Sequence, residues 1–291
     1  MNSIGIATDS HSGILPEEAK RLGIMVLPMP FFCEEKCYYE EVSITREEFF
    51  KQLRAGKTVS TSQPSPEAVM EFWREGLKNY EKILYIPMSS GLSGACNTAK
   101  VLAGEDEFAG RVLVVDNGRI ATPLHRSILD ALEMAEEGCS AEQIQKTLEE
   151  EKDKMAIYIA VESLELLKKG GRITPATAAI GTLLNIEPIL KLGVGVLDTY
   201  KKCRGMRKAK RDMLAAMKQE LATTFKEAHE KNEVYLMAAS SADEETTKQW
   251  VEEIQAAFPG MEVMCDYLTM GISCHIGEGG LGIGCSCRPE R

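Results

Sequence analysis

The chain has 291 residues, 44% hydrophobic and 27% charged, with a formal net charge of -10. That balance suits a globular chain with room for one large domain or two ordinary ones. The acidic charge disfavours nucleic acid and anionic lipid surfaces as partners, and no apolar run is long enough for stable membrane insertion.

The first run, Ile4–Thr8, reads as a strand. It carries neither the basic nor the apolar stretch of a secretion signal, so a cytoplasmic location is expected. Further strand-like runs are Ile24–Pro30, Ile83–Pro87 and Arg111–Asp116. Their unbroken apolar character suits a parallel sheet covered on both faces. Helical segments lie between them. Thr45 to Glu48 and Ser140 to Gln143 read as capping boxes, and Ser65-Pro66 as a cap with proline at the first helical position. Alternation of strand and helix implies βαβ units.

The character changes near Asp153. Met155–Val161 reads as a strand and Ser163–Lys169 as a short helix stopped by Gly170-Gly171. Thr174-Pro175 starts a helix running into ATAAIGTLL. Ile186–Leu192 and Val194–Tyr200 read as a hairpin around Gly193. A basic helix is expected from Met206 to Lys231, then a strand at Glu233–Ala239 and an acidic helix from Asp243. The end reads as strands at Met261–Leu268, Gly271–Gly277 and Leu281–Ser286. The expected organisation is an α/β chain of two domains. Residues 1–153 form a three-layer α/β/α domain on a parallel sheet, and residues 154–291 form an α/β domain on a mixed sheet.

Three polar loops stand out: TDSHSG at 8–13, STSQPSPEA at 60–68 and SSGLSG at 89–94. In a parallel sheet the loops after strand C-termini share one edge, where ligands bind. Helix N-termini there present unpaired N–H groups, and Ser90 and Ser93 can either donate to an anion or cap the helix. The loops offer neutral donors without a fixed positive charge, which suits a single carboxylate better than a polyphosphate. There is no P-loop pattern, and the glycine-rich stretch at 277–284 lacks the helix of a dinucleotide fingerprint. Gly91-Leu92-Ser93-Gly94-Ala95 is one residue from the G-x-S-x-G elbow of serine hydrolases, with Asp116 and His275 downstream in the right order. Met88, Ser89 and Ser90 separate that serine from the strand end, which argues against the elbow. The nine cysteines have irregular spacing and no histidine completes a zinc set, so reduced thiols and no bound metal are expected.

Six motifs in order resemble the DegV family: TDS at 8–10, TSQPSP at 61–66, SSGLSG at 89–94, LKKGGRI at 167–173, EPILKL at 187–192 and HIGEGGLGIG at 275–284. The resemblance implies the two-domain EDD fold and a non-enzymatic, cofactor-free carrier of one long-chain fatty acid held between the domains. It assigns the carboxylate to Thr61, Ser93 and His275, with Ser62 and Gly94 as adjacent positions and Arg172 and Ser90 as supports. The acyl chain would enter an apolar tunnel, for which 157–161 and 178–190 are candidate walls. Some members hand the acid to a fatty acid kinase catalytic subunit for phospholipid synthesis, and Lys202 and Arg204 match the docking region. The sequence departs from the family pattern at Ala95 and Glu278, and at the segment 117–124. Alternatives are an esterase using Ser93 and a partner-binding subunit with a vestigial pocket.

Overall fold

A computed structural model describes residues 2–40, 42–179, 187–193, 195 and 197–290. The chain divides into two units, Met1–Asp153 with Pro289–Arg291, and Lys154–Arg288.

The first unit runs β1 (Asn2–Asp9), α1 (Pro16–Leu22), β2 (Met25–Leu27), β3 (Pro30–Cys33), β4 (Lys36–Tyr39), α2 (Arg46–Arg54), β5 (Val59–Thr61), α3 (Pro66–Gly76), β6 (Tyr80–Ile86), α4 (Ala95–Ala103), β7 (Val112–Val114), α5 (Ala121–Glu136) and α6 (Ala141–Glu150). Among the described residues β2, β1, β6 and β7 lie side by side in that order, all parallel. Alternation along the strands sends Ile6, Leu84 and Ile86 to one face, where α1, α5 and α6 cover them with Ala19, Leu124, Ile128, Ile144 and Leu148. Ala7, Ile83, Tyr85, Val112 and Val114 point the other way, onto Val69 and Trp73 of α3 and Ala99 and Leu102 of α4. The unit is thus the three-layer α/β/α domain that the apolar strands imply.

The run 24–30 is not one strand. Pro28 and Pro30 lack the N–H that a central strand needs. The chain leaves the parallel sheet after Leu27, and β3 joins a small antiparallel sheet in the order β4-β3-β5. This sheet has its own aromatic core, with Phe31 edge-on to Phe49 of α2 at 5.4 Å. Ser65 caps its helix as expected, Thr45 makes the cap half of its expected box by accepting from Glu48 N, and Ser140 with Gln143 makes the full reciprocal box.

The second unit runs β8 (Met155–Ala160), α7 (Glu165–Gly170), α8 (Pro175–Ala178), β9 (Glu187–Leu192), β10 (Leu197–Cys203), α9 (Met206–Ala222), α10 (Lys226–Glu230), β11 (Val234–Ser240), α11 (Glu244–Ala257), β12 (Val263–Tyr267), α12 (Met270–Ile276) and β13 (Leu281–Cys287). Its sheet order is β10-β9-β8-β13-β11-β12, antiparallel except between β11 and β12. The mixed sheet agrees with the sequence. One face carries Ala156, Tyr158, Ile189, Leu236, Ile283 and Cys285 against Met213, Met217, Trp250 and Ile254 of α9 and α11.

Two elements differ from the sequence reading, and two others run beyond the described residues. The basic helix ends at Ala222, where Thr223 leaves helical geometry (φ -125°, ψ -78°) and bonds its hydroxyl back to Gln219 O, and α10 then restarts after Phe225. The hairpin's second strand is described from Leu197, paired with Leu192, and its expected start at Val194 lies outside the described residues. The helix from Thr174 is described only to Ala179, and its expected continuation over 180–184 lies outside the described residues. Within the expected strand Gly271–Gly277, residues 271–276 are helical as part of α12 and Gly277 is its C-cap. Ser273 N–H bonds Thr269 O and Gly277 N–H bonds Ser273 O, a helical ladder over too few residues to leave a period in the sequence.

Candidate functional site

In the first unit two of the three polar loops leave the C-terminal ends of parallel strands. Asp9, fully buried at the end of β1, accepts from His11 N at 2.9 Å and from Met88 N at 2.9 Å, so one carboxylate ties the 8–13 loop to the serine turn after β6. Ser89 N bonds Arg119 O at 2.8 Å and brings in the segment after β7. The third loop, 60–65, instead follows β5 of the antiparallel sheet, where Thr61 pairs with Phe31. Gln63 joins it to the serine turn. Its Oε1 accepts from Thr98 Oγ1 on α4 at 3.2 Å, and a Cβ added to Gly94 would stand 3.2 Å from the same oxygen. The sequence supplied Gln63 only as a member of a polar run, and this bridging role was not legible there.

Within the turn the serines do different things. Ser90 donates to Asp116 and is a strut, not a cap. Gly94 is the N-cap of α4 and offers no side chain to it. Ser93 Oγ accepts from Ala95 N at 3.2 Å, and its own proton enters no bond among the described residues. An oxygen that accepts from a helix N–H is polarised so that its O–H is a better donor to an anion. Thr61 and Ser93 are half-buried, while Ser62 and Gly94 are exposed. Asp116 is fully occupied. Besides Ser90 it has Lys152 Nζ at 3.4 Å and Lys100 Nζ at 3.6 Å, which takes it away from the orienting role that a Ser93 hydrolase would give it.

In the second unit His275 sits on α12 with its ring against the end of α7. A Cβ added to Gly170 would lie 2.1 Å from His275 Nδ1. Gly171 follows in the left-handed region (φ 67°) and closes α7. Arg172 turns back and donates from its guanidinium to Gly170 O, so this arginine braces the backbone beside His275. The glycine-rich stretch turns at Gly277 and Gly279, both at φ 81°, and feeds β13. Lys202 lies on β10 and Arg204 just beyond it, both exposed. Lys201 and Lys208, in contrast, converge on Asp212 at 3.1 and 2.8 Å and hold its carboxyl down at about 2, chiefly through the Lys208 bond.

The sheet face opposite α9 and α11 carries a further feature. Leu281, Ile283 and Cys285 of β13 point into the helix-covered core, so Gly282 and Gly284 face the other way. Register places Gly282 between Ile159 and Ala239, and Gly284 between Ile157 and Met237. The atoms nearest to a Cβ at either glycine all belong to these flanking strands: Ala239 O and Tyr158 O at 3.4 and 3.5 Å, Ala156 O and Ile157 Cγ1 at 3.2 and 3.3 Å. Both glycines are buried. They leave a strip of backbone without side chains along the middle of the sheet, a trough flanked by Ile157, Ile159 and Met237.

The chain matches the family model described as "Uncharacterised protein, DegV family" over residues 3–287. It belongs to the DegV family. A DegV domain-containing protein of Deinococcus radiodurans is 35% identical over 72% of this chain and 75% of its own. Among solved structures, a DegV family protein from Thermus thermophilus, described by its fatty acid binding, has a TM-score of 0.87 and 32% identity, covering 98% of this chain and 99% of that one. DegV of Bacillus subtilis, described as a fatty acid binding protein, has a TM-score of 0.82 and 27% identity, with coverage of 99% and 100%. No described helix of this DegV-family chain is long and apolar enough to cross a membrane, and no group of metal-ligating side chains occurs among the described residues.

Proposed function

We propose that this chain is a lipid-binding carrier that holds one long-chain fatty acid. The observation that carries the reading is the Thermus thermophilus relative, similar over nearly the whole of both chains and described by its fatty acid binding. The residues supply a consistent chemistry. Thr61 and Ser93 donate hydroxyl protons to the carboxylate, the backbone at Ser62 and Gly94 stands beside them, and His275 of the second unit assists. Such a clamp grips a carboxylate without a buried countercharge, whose desolvation would be costly. The acyl chain lies along the trough over Gly282 and Gly284, where each buried methylene contributes about 0.8 kcal/mol. Hydrogen bonds to the charged head, about 1.5–3 kcal/mol apiece, select an acid over its alcohol or ester.

Delivery to a fatty acid kinase catalytic subunit is the further step that the family resemblance implies. Lys202 and Arg204 support it as exposed cations without an ion pair among the described residues. A pull-down with Arg204→Ala tests that step by itself.

The test of the carrier reading is mass spectrometry of an organic extract of the purified chain, with a thermal melt in added oleate. About one fatty acid per chain, or a rise in Tm with oleate, is the expected result. An empty extract together with a melt that oleate does not move would overturn it. Steady turnover of a chromogenic ester, abolished by Ser93→Ala, would favour the esterase instead.

A further inference from the structure

We infer that Gly170 is the positioning residue for His275: the missing side chain at 170 is the space in which the imidazole stands. The inference rests on the carrier reading for what His275 does, and on packing for how it is held.

Two demands can fix a glycine, conformation or room. Gly170 is the last residue of α7 and is not among the residues with positive φ, whereas its neighbour Gly171 is. An alanine therefore fits the backbone at 170, and helix propensity favours it. Room is what forbids it. A Cβ at 170 would stand 2.1 Å from His275 Nδ1, 2.6 Å from Cε1 and 3.4 Å from Cγ. Carbon and nitrogen atoms in contact sit about 3.5–4.0 Å apart, so the ring has to leave.

The contact cannot be relieved by a small slide. Nδ1 and Cγ belong to the root of the ring, so the whole imidazole must rotate rather than one flexible tip. The helix carrying it packs against α7. The Gly170 carbonyl is held by the Arg172 guanidinium, and Arg172 N bonds Leu167 O at 3.2 Å. Gly170 and Arg172 thus form a braced stretch of backbone, and the clash falls on the ring.

The experiment uses the full chain as wild type, Gly170→Ala, His275→Ala and the double variant, with oleate and oleyl alcohol as probes and Tm measured alongside. Gly170→Ala is expected to weaken oleate about tenfold, as His275→Ala does, and to leave oleyl alcohol unchanged. The double variant should bind oleate no worse than His275→Ala. Its Tm should match or exceed that of His275→Ala, because with the ring gone alanine suits α7, whereas Gly170→Ala alone should lower Tm. Wild-type affinity in Gly170→Ala, or losses that multiply in the double variant, would overturn the inference. A wild type that binds no oleate would overturn the carrier reading and the ligand half of the inference. In that case an additive Tm pattern would dispose of the packing half as well.

Discussion

Ser90 donates its hydroxyl to Asp116 Oδ2 at 2.6 Å while its backbone N–H reaches Oδ1 at 3.3 Å. This pair anchors the serine turn to the end of β7, with Lys152 and Lys100 flanking the carboxylate. Burial alone would push the Asp116 carboxyl up. The two Ser90 bonds and then the two lysines outweigh it, and the group titrates below its ordinary value. A lowered folded value means that the stabilisation is present above the unfolded value of about 3.9 and is lost as pH falls through the folded one. Asp116→Asn should therefore cost about 1–3 kcal/mol at pH 7. Urea melts at neutral pH and near pH 3 check this, and a deficit of the same size at both would contradict it.

The head-group clamp makes a prediction of a different kind, one in affinity and not in stability. Thr61→Ala and Ser93→Ala should each weaken oleate by about ten- to a hundredfold. Oleyl alcohol, without the charge, should be bound as before. Ser93 gives up only the bond from Ala95 N, so its stability cost should stay within about 1 kcal/mol. Isothermal titration and a thermal melt on the same samples separate the two effects. Equal oleate affinity in both variants would remove the clamp.

The sequence made the parallel sheet legible because Ile83–Ile86 and Val112–Val115 are apolar without interruption, which only a strand covered twice requires. Ser65 and Ser140 were legible as caps because their bonds reach three residues along the chain. What could not be read were relationships set by packing over long separations. Gln63 meets Thr98 across 35 residues. His275 looked like a strand residue because GISCHIG is apolar and β-branched at its start, yet seven residues are too few to show a helical period. Gly170-Gly171 read as a helix stop, which the C-cap at Gly171 bears out. The steric role of Gly170 appears only once α12, about a hundred residues later, is laid against it. The glycine trough was hidden for the same reason, since the sequence placed Gly282 and Gly284 in a strand but not beside Ile157, Ile159 and Met237.

His11 predicts a second pH dependence. Its Nδ1 stands 3.5 Å from Asp9 Oδ1, and both residues are buried. Burial by itself would lower the imidazole pKa. The Asp9 hydrogen bond and charge, with the Glu40 charge behind them, outweigh burial and raise it. A raised folded value means that this stabilisation is complete below the unfolded value of about 6.5 and disappears as pH rises through the folded one. Tm should fall as pH is taken upward from about 6.5, and His11→Gln should flatten that slope. An NMR titration in which His11 loses its proton below the ordinary histidine value would contradict the account.

The trough gives the prediction closest to the ligand's hydrocarbon. A Cβ at Gly282 meets Ala239 O and Tyr158 O at 3.4 and 3.5 Å, which is ordinary contact, and the residue lies within β13 between two paired strands. Valine suits that backbone, so Gly282→Val should fold. Its two methyl groups then rise from the floor between Ile159 and Ala239 into the space assigned to the acyl chain. Displacing two methylenes from apolar contact removes about 1.6 kcal/mol, or roughly tenfold in affinity. A long chain that must cross the site should lose that much or more, whereas a chain too short to reach it should lose little. Oleate and decanoate titrated against Gly282→Val and wild type make the comparison. If both acids weaken alike, the substitution has disturbed the head-group site, and if neither does, the chain runs elsewhere.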